Sequence, residues 1–540
     1  MKNAISPLRS ITPKTEILLS GLTIVGFACV PLFFSLPYRI NIFLSWEGAY
    51  RLYLGQIPFR DFTLPMGYAY WLLPALFFKL FGPYLYSLVL AQVFINIVAG
   101  AAFITIIRTL VSKIGVLFLS VLVFCLSYSF INFWPWYNHT VIVYQLVGLA
   151  FLLQYIFRDK YRWGYLVAAS FFLFFSLFTK QDGGGLAFLI SVALLVYESY
   201  AQKILKPLLL FLVFYAIIAC LFILPLLSYN FEYWFNYGQS PHYSRVAIYD
   251  FLSDILGQSQ WEKFYLLVIG LVLITKLRNF PAFLHQKKDV VFLLLTVGIL
   301  VEALLFQVTS YVPPNNNIFF HSFACAYILS NVKTSINFAH PALLALASLL
   351  VFLWWSGSYW QYLDRVVERI YPKISQTGGS NQISKNSWNQ GQDSSRVDLG
   401  PWVFSDIPVF RRVYMPQKTV QGIQRVMELP IVKEKGKTLN MLNMTELTPL
   451  ARSMGYLLPT GVNQPLWYHK GVSVFDQQVD QYCENIRQQQ YDIVMFEYLD
   501  GLNNFYPFQV RDFLRKHYRL VDTFPAPRSD GYAPIEVYVR

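Results

Sequence analysis

The 540-residue chain is 55% hydrophobic, has a mean hydropathy of +0.42 and is only 14% charged, against roughly 25% charged residues in soluble domains. That excludes a soluble globular protein, and the 18% aromatic share suits lipid-facing helices and interfacial belts. The net charge of +13 is no sign of nucleic acid, because basic excess in membrane proteins gathers in cytoplasmic loops. The five cysteines form no disulfide framework. Cys29, Cys125, Cys220 and Cys325 fall in apolar runs, and Cys483 stands alone in the polar C-terminal region. That region needs no internal bridge and suits an oxidising compartment.

In chain order, Lys2, Arg9 and Lys14 precede an apolar run over 17–36, near the ~20 residues that span a bilayer. No small-residue cleavage pattern follows, so this reads as an uncleaved first helix. A long loop over about 38–83 comes next. Further spans are expected at 84–107, 114–131, 140–157, 163–178, 185–199, 207–229, 264–275, 290–309, 317–332 and 341–357, about eleven in all. The basic residues alternate between sides. One side holds the N-terminus, Arg108/Lys113, Arg158/Lys160/Arg162, Lys203/Lys206, Lys276/Arg278/Lys287/Lys288 and Lys333, fifteen in total. The other holds Arg39, Arg51, Arg60, Lys79, Lys180, Arg245 and Lys263, which is seven. The positive-inside rule therefore puts the N-terminus in the cytoplasm. An odd number of spans then puts everything after 357 outside.

The expected organisation is a transmembrane domain over 1–357, a polar linker over 358–400 and an extracytoplasmic α/β domain over 401–540. Residues 374–398 are rich in Ser, Asn, Gln and Gly, the composition of a linker. Beyond it, strand-like runs at 439–444, 492–497 and 519–524 alternate with helical patterns at 474–490 and 506–518, an order that predicts a partly parallel sheet. No phosphate-binding glycine loop is present.

The first loop carries the chemistry. It is too long and patterned for a plain connector, and it places Glu47 and Asp61 close in sequence to Arg51 and Arg60. Pro74 is expected to open a short interfacial helix, PALFFKLF. Acids and arginines at an outer membrane surface suit an anionic, lipid-borne substrate; they equally form ordinary surface ion pairs.

The pattern Glu47-Gly48-Ala49-Tyr50, Gly55, Pro58-Phe59-Arg60-Asp61-Phe62 and Leu80-Phe81-Gly82 resembles the first loop of polyprenyl-phosphate-sugar-dependent glycosyltransferases. These form the protein O-mannosyltransferase-like branch of the GT-C superfamily. Phe178-Thr179-Lys180-Gln181 followed by Gly183–Gly185 is similar to a second element of those enzymes. The resemblance covers the first 200 residues best. Relatives usually carry Asp, or an Asp-Glu pair, where this chain has Trp46-Glu47, so the catalytic assignment passes to Glu47 or Asp61.

The resemblance implies an inverting transfer of a sugar from a polyprenyl-phosphate donor to a glycan, lipid or protein acceptor at the outer face of the plasma (inner) membrane. Membrane lipids are the other partner expected, and nucleic acid is not. Such transfer needs a carboxylate to take the acceptor's proton and cations to stabilise the departing phosphate. Glu47 and Asp61 are the available bases, and a half-buried carboxylate there is expected to have a raised pKa. Asp61 has a structural alternative, pairing with Arg60 to fix the loop. Lys180, Arg51, Arg60 and Arg245 are the available donor-phosphate cations. Lys180, beside glycines that admit close backbone approach, either clasps a phosphate or simply snorkels.

Glu302 and His321 lie within late apolar runs, and intramembrane ionisable groups face a bundle interior or cavity. Both are candidates for a cavity wall or for hydrogen bonding between helices. The loop over 230–262, with Trp234, His242, Tyr243 and Arg245, is aromatic enough to stack on a sugar. No cofactor is evident, and the scattered histidines show no metal-ligand spacing, although some relatives use a divalent cation. A transporter or flippase of lipid-linked sugars, and a polysaccharide polymerase or ligase, are the alternatives. The first would more often show paired broken helices in inverted halves, and the second a late functional loop.

Overall fold

The computed structural model describes residues 10–540 apart from 39–41, 161, 240–247, 258, 311–317, 333–335, 361–362, 364–400, 463, 467, 500, 502 and 529–532. The linker at 374–398, His242, Tyr243 and Arg245 lie outside the described residues.

Each expected span finds a helix. In chain order these are α1 (Pro13–Phe33), then α2 (Ile42–Tyr53) and α3 (Ala69–Phe81) in the first loop, and α4 (Leu85–Leu110). α5 (Val116–Cys125), α6 (Tyr128–Ile131), α7 (Tyr137–Phe157), α8 (Arg162–Thr179), α9 (Gln181–Gln202) and α10 (Lys206–Ile223) follow. The last group is α11 (Ile248–Gly257), α12 (Gln260–Leu277), α13 (Phe280–Leu284), α14 (Lys287–Ser310), α15 (Ile318–Asn331) and α16 (Pro341–Trp354). Among the described residues seven helices are long and apolar enough to cross a membrane: α1, α4, α7, α8, α9, α10 with its short extension to Leu226, and α14. The remaining expected spans are shorter helices or, for α12, interrupted by Glu262, Lys263 and Lys276.

Local chemistry sets the helix ends. Thr12 caps α1 by accepting the Thr15 N–H at 3.2 Å, with Pro13 opening the first turn. Glu16 Oε1 accepts the N–H groups of Gly115 and Phe118 at 2.6 and 3.3 Å, so a buried carboxylate serves the start of α5. α7 lies at the centre and packs on α4, α8 and α9. α10 lies outside and presents Leu209, Val213 and Leu221 outward. An outer helix with that much exposed leucine is lipid-facing, and the chain is an integral membrane protein.

The C-terminal region is α/β, as expected. A small sheet joins it to the bundle. β1 (Leu36–Pro37), directly after α1, runs parallel to β3 (Val413–Pro416), which pairs antiparallel with β2 (Trp402–Phe404). The second sheet has the order β4-β5-β7-β6 over β4 (Met441–Met444), β5 (Ile493–Glu497), β6 (Arg519–Pro525) and β7 (Pro534–Val539). β4 and β5 are parallel and the other pairs antiparallel, which matches the partly parallel expectation. The helices Phe475–Arg487 and Phe508–His517 cover one face through Val479, Ile486, Val510 and Leu514 against Leu442, Val494 and Phe496. Met441, Ile493, Met495 and Val537 on the opposite face belong to the same hydrophobic cluster as the first loop and the bundle. Alternation along these strands therefore binds the sheet to its own helices on one side and to the membrane domain on the other.

Pro74 does not open a helix. α3 begins five residues earlier, with Pro74 in its interior, because Ala69, Tyr70 and Trp71 are all buried against the core and that packing extends the helix past the proline.

Candidate active site

Glu47 and Arg51 are four residues apart on α2, on one helical face. Both are buried, at 5% and 1% exposure. The guanidinium Nε and the second terminal nitrogen converge on Glu47 Oε1 at 2.9 and 2.8 Å. The other terminal nitrogen donates to Gln56 Oε1 and to the Pro459 carbonyl of the C-terminal region, each at 2.9 Å. Arg51 also lies over the Phe62 ring at 5.2 Å. Glu47 Oε2 has no hydrogen bond among the described residues. α2 can lie this close to α3 because residue 48 is glycine: a Cβ there would stand 2.0 Å from the Trp71 ring.

Glu47 and Arg51 form one wall of a cavity of about 200 Å³ between α2 and the C-terminal region. The facing wall includes Asn443, Glu446, Tyr456 and Arg528. Arg528 is buried, pairs with Glu497 and reaches Glu446 at 3.3 Å. Tyr38, just after α1, donates its hydroxyl to the Glu446 carbonyl. The buried Thr448 hydroxyl, also on this wall, has no partner among the described residues. The cavity thus sits between two buried acid–arginine pairs, one on each side of the domain seam.

Asp61 is placed differently. Oδ2 accepts the Ile57 N–H at 2.7 Å, and Arg60 grips both oxygens at 2.9 and 2.8 Å. The turn includes Phe59 at φ 66°, a left-handed conformation that a bulky residue adopts only when held. Asp61 and Thr63 tie this turn to the C-terminal region. The Asp61 carbonyl accepts the Gly461 N–H at 2.9 Å, Thr63 donates to the Gln464 carbonyl at 2.8 Å, and Leu466 donates to the Thr63 carbonyl at 2.9 Å. Hydrogen bonding by Arg60 holds the Asp61 carboxyl below its ordinary range, against the opposing effect of partial burial, with further help from the Ile57 N–H. The raised pKa expected for a loop carboxylate is therefore not found at Asp61, because its partners stabilise the anion more than burial penalises it.

Lys180 sits between α8 and α9 in extended backbone, with φ −154° and ψ 128°. Its ammonium pairs with Asp182 at 2.8 Å and lies over the rings of Phe306 and Tyr137 at 4.8 and 5.7 Å. Gly183–Gly185 lie in the opening turns of α9. A Cβ on Gly184 would stand 2.1 Å from the Leu177 backbone, whereas one on Gly185 would meet nothing within 4 Å, so smallness serves helix packing at Gly184. Rings connect Lys180 to the Glu47 helix. Tyr137 meets Tyr70 at 6.1 Å, Tyr70 meets Trp71 at 4.4 Å, and Trp71 Nε1 donates to the Leu44 carbonyl at 3.0 Å.

The two intramembrane candidates part company. Glu302 on α14 accepts a hydrogen bond from Gln145 on α7, whereas His321 on α15 faces Glu262 on α12 at 3.5 Å. Trp234 is buried at 2% exposure with its ring edge-on to Phe178 at 5.5 Å, so it is not a free surface for sugar stacking. Among the described residues no three His, Cys, Asp or Glu side chains gather as metal ligands.

No family model matches this chain, and no curated protein matches it. Among solved structures it is similar to ArnT from Cupriavidus metallidurans bound to undecaprenyl phosphate, with 12% identity, 97% of this chain and 98% of that chain covered, and a TM-score of 0.46. ArnT from the same organism in the apo state gives 11% identity, 96% and 97% coverage, and a TM-score of 0.43.

Sequence reasoning missed the Glu446–Arg528–Glu497 cluster. Glu446 follows a strand, Glu497 ends one, and Arg528 lies in a polar turn, separated by 51 and 31 residues. No local pattern joins them. The signal available was only that each is a charge beside an apolar run.

Proposed function

We propose that this chain is an inverting glycosyltransferase of the plasma (inner) membrane, taking a sugar from a polyprenyl-phosphate donor with Glu47 as the base. What supports the reading is the resemblance carried by Pro58–Phe62 and Thr179–Gln181, together with one observation of geometry. Glu47 is a buried carboxylate on a cavity wall whose arginine partner engages Oε1 alone. In the proposed reaction the acceptor hydroxyl or amine loses its proton to Oε2. Its lone pair bonds to the anomeric carbon from the face opposite the phosphate. The carbon–oxygen bond to phosphate breaks, and its electron pair leaves with polyprenyl phosphate. Arg51 holds the carboxylate in position, and Lys180 is the cation on the membrane side for the leaving phosphate. Asp61, with Arg60, is the fastener of the loop rather than the base. In this reading the N-terminus is cytoplasmic and the C-terminal region extracytoplasmic.

The test is donor turnover by the purified full chain. Incubated with a polyprenyl-phosphate sugar and candidate acceptors, the parent releases polyprenyl phosphate, and Glu47→Gln does not. A parent that translocates the lipid-linked sugar between leaflets without ever releasing polyprenyl phosphate overturns the reading in favour of a transporter.

A further inference from the structure

A second cleft lies at the other end of α9. The 22-residue helix separates it from Lys180 by about 33 Å at ~1.5 Å per residue. This cleft of about 710 Å³ is lined at its polar end by Ser199, Lys203, His285 and Lys287, and on its flank by Leu205 and Leu208. Leu205 is 65% exposed and its neighbour Ile204 55%, both at the start of the lipid-facing α10. The cleft therefore opens where headgroups meet acyl chains.

Its charge is positive. Glu198 is fully buried and already covered by two cations, Arg162 at 3.1 Å and Lys287 at 2.8 Å. Asp289 pairs with Lys276. Among the described residues no carboxylate lies within ion-pair distance of Lys203, which stands exposed in the left-handed region at φ 56°. The Tyr197 hydroxyl donates to the Leu284 carbonyl at 2.9 Å and fixes the wall that carries His285. The second observation is Ser199. The residue is among those that line the cleft, it is only 4% exposed, and its hydroxyl oxygen has no partner among the described residues. A buried hydroxyl without a partner is destabilising unless something completes it.

We infer that this cleft binds the phosphodiester headgroup of an anionic phospholipid. Lys203 and His285 face its charge, the Ser199 hydroxyl donates to a phosphate oxygen, and its acyl chains lie along Leu205 and Leu208. Basic pockets between transmembrane helices at the headgroup level are suited to this chemistry, and the apolar flank gives a lipid an advantage over free phosphate.

Native mass spectrometry of the intact chain in detergent tests it, with phosphatidylglycerol, phosphatidylcholine and inorganic phosphate as probes. The parent retains one phosphatidylglycerol in preference to phosphatidylcholine. Lys203→Asn removes the charge while suiting the left-handed backbone, and weakens retention about fivefold; Lys203→Arg restores it. Ser199→Ala also weakens retention, without lowering the thermal midpoint of the lipid-free protein. Should Lys203→Asn fail to fold, His285→Gln replaces it with the same expected loss. Equal retention of the two lipids, retention unaffected by these variants, or displacement of phosphatidylglycerol by millimolar phosphate overturns the inference.

Discussion

The first loop contains two acid–arginine pairs of similar composition and opposite placement. Glu47–Arg51 is enclosed, with side chains 7% and 2% exposed, whereas Asp61–Arg60 lies at the surface at 18% and 45%. Arg60 grips both oxygens of its carboxylate, and the pair fastens a turn to the C-terminal region. Arg51 grips one oxygen of its carboxylate and leaves the other on a cavity wall. Proximity of opposite charges in a sequence is thus no guide to role. Burial, and which lone pairs remain unused, decide whether a carboxylate is placed to take a proton or to hold a chain.

Altering the buried pair gives the largest expected effect. Arg51→Met leaves the Glu47 carboxylate buried without its partner, and breaking such a pair costs about 3–5 kcal/mol, read as a steep fall in thermal midpoint in detergent. Glu47→Gln leaves the guanidinium its bonds to Gln56 and the Pro459 carbonyl, so it loses less stability than Arg51→Met. It nevertheless loses transfer, by roughly 10²–10⁴-fold for a missing base. Glu47→Gln with near-parent turnover would erase the functional half of the contrast.

Gly67→Ala comes next. A Cβ at Gly67 would stand 1.5 Å from the Phe178 carbonyl oxygen and 2.5 Å from its carbon, so backbone must move. Overpacking of this kind costs about 1–3 kcal/mol. The strain falls where the first loop meets the end of α8, two residues before Lys180. Transfer should fall with stability, while the hydrogen bonds of Asp61 persist. Donor release together with thermal midpoint measures both; parent-like values for each would show that the seam yields without consequence.

That seam also marks the limit of what the sequence made legible. Local periodicity and hydropathy placed α1, the apolar helices after residue 84, the two helices that cover the larger sheet and three of its strands, but not α2 or the helix Gln417–Glu428. The pairing of Glu47 with Arg51 was accessible from their spacing of four. β7 was not anticipated, although Ile535, Val537 and Val539 alternate with Glu536 and Tyr538, since a short strand after a proline-rich turn carries little signal alone. The glycines after Lys180 looked like a ligand cradle because glycine serves close approach to a phosphate and to a neighbouring helix equally well. At Gly184 the Leu177 backbone accounts for the small residue, whereas Gly185 faces open space. The cavity depends on contacts such as Arg51 with Pro459, 408 residues apart, which no local pattern encodes.

Asp61→Asn tests the other pair and should do less. It removes the charge that Arg60 grips and one of the two acceptor oxygens shared between Arg60 and the Ile57 N–H, loosening the turn without emptying the cavity wall. Transfer should remain close to the parent rate, with a small drop in thermal midpoint. A well-folded Asp61→Asn variant that is inactive would move the base to Asp61 and reverse the comparison.

The smallest effect is in pH. The Asp61 carboxyl is held below its ordinary value chiefly by the Arg60 hydrogen bonds, so the folded state binds its proton less readily than the unfolded chain. The sign follows from linkage. The stabilisation is fully present above the unfolded value, near ~3.9 for aspartate, and is lost as pH falls through the folded value below it. Between pH 7 and 5 the turn over 57–63 should be equally protected, and protection should decline only in more acid solution. Asp61→Asn has no such carboxyl to protonate. Amide exchange of this turn, taken as the ratio of variant to parent, cancels the intrinsic pH dependence of exchange. That ratio should exceed one at neutral pH and approach one only as pH falls below the folded value. A ratio that stays constant through the acid range would mean that Arg60 and Asp61 contribute nothing to the turn. The fastening would then rest on the backbone bridge from Thr63 to Gln464 and Leu466 alone.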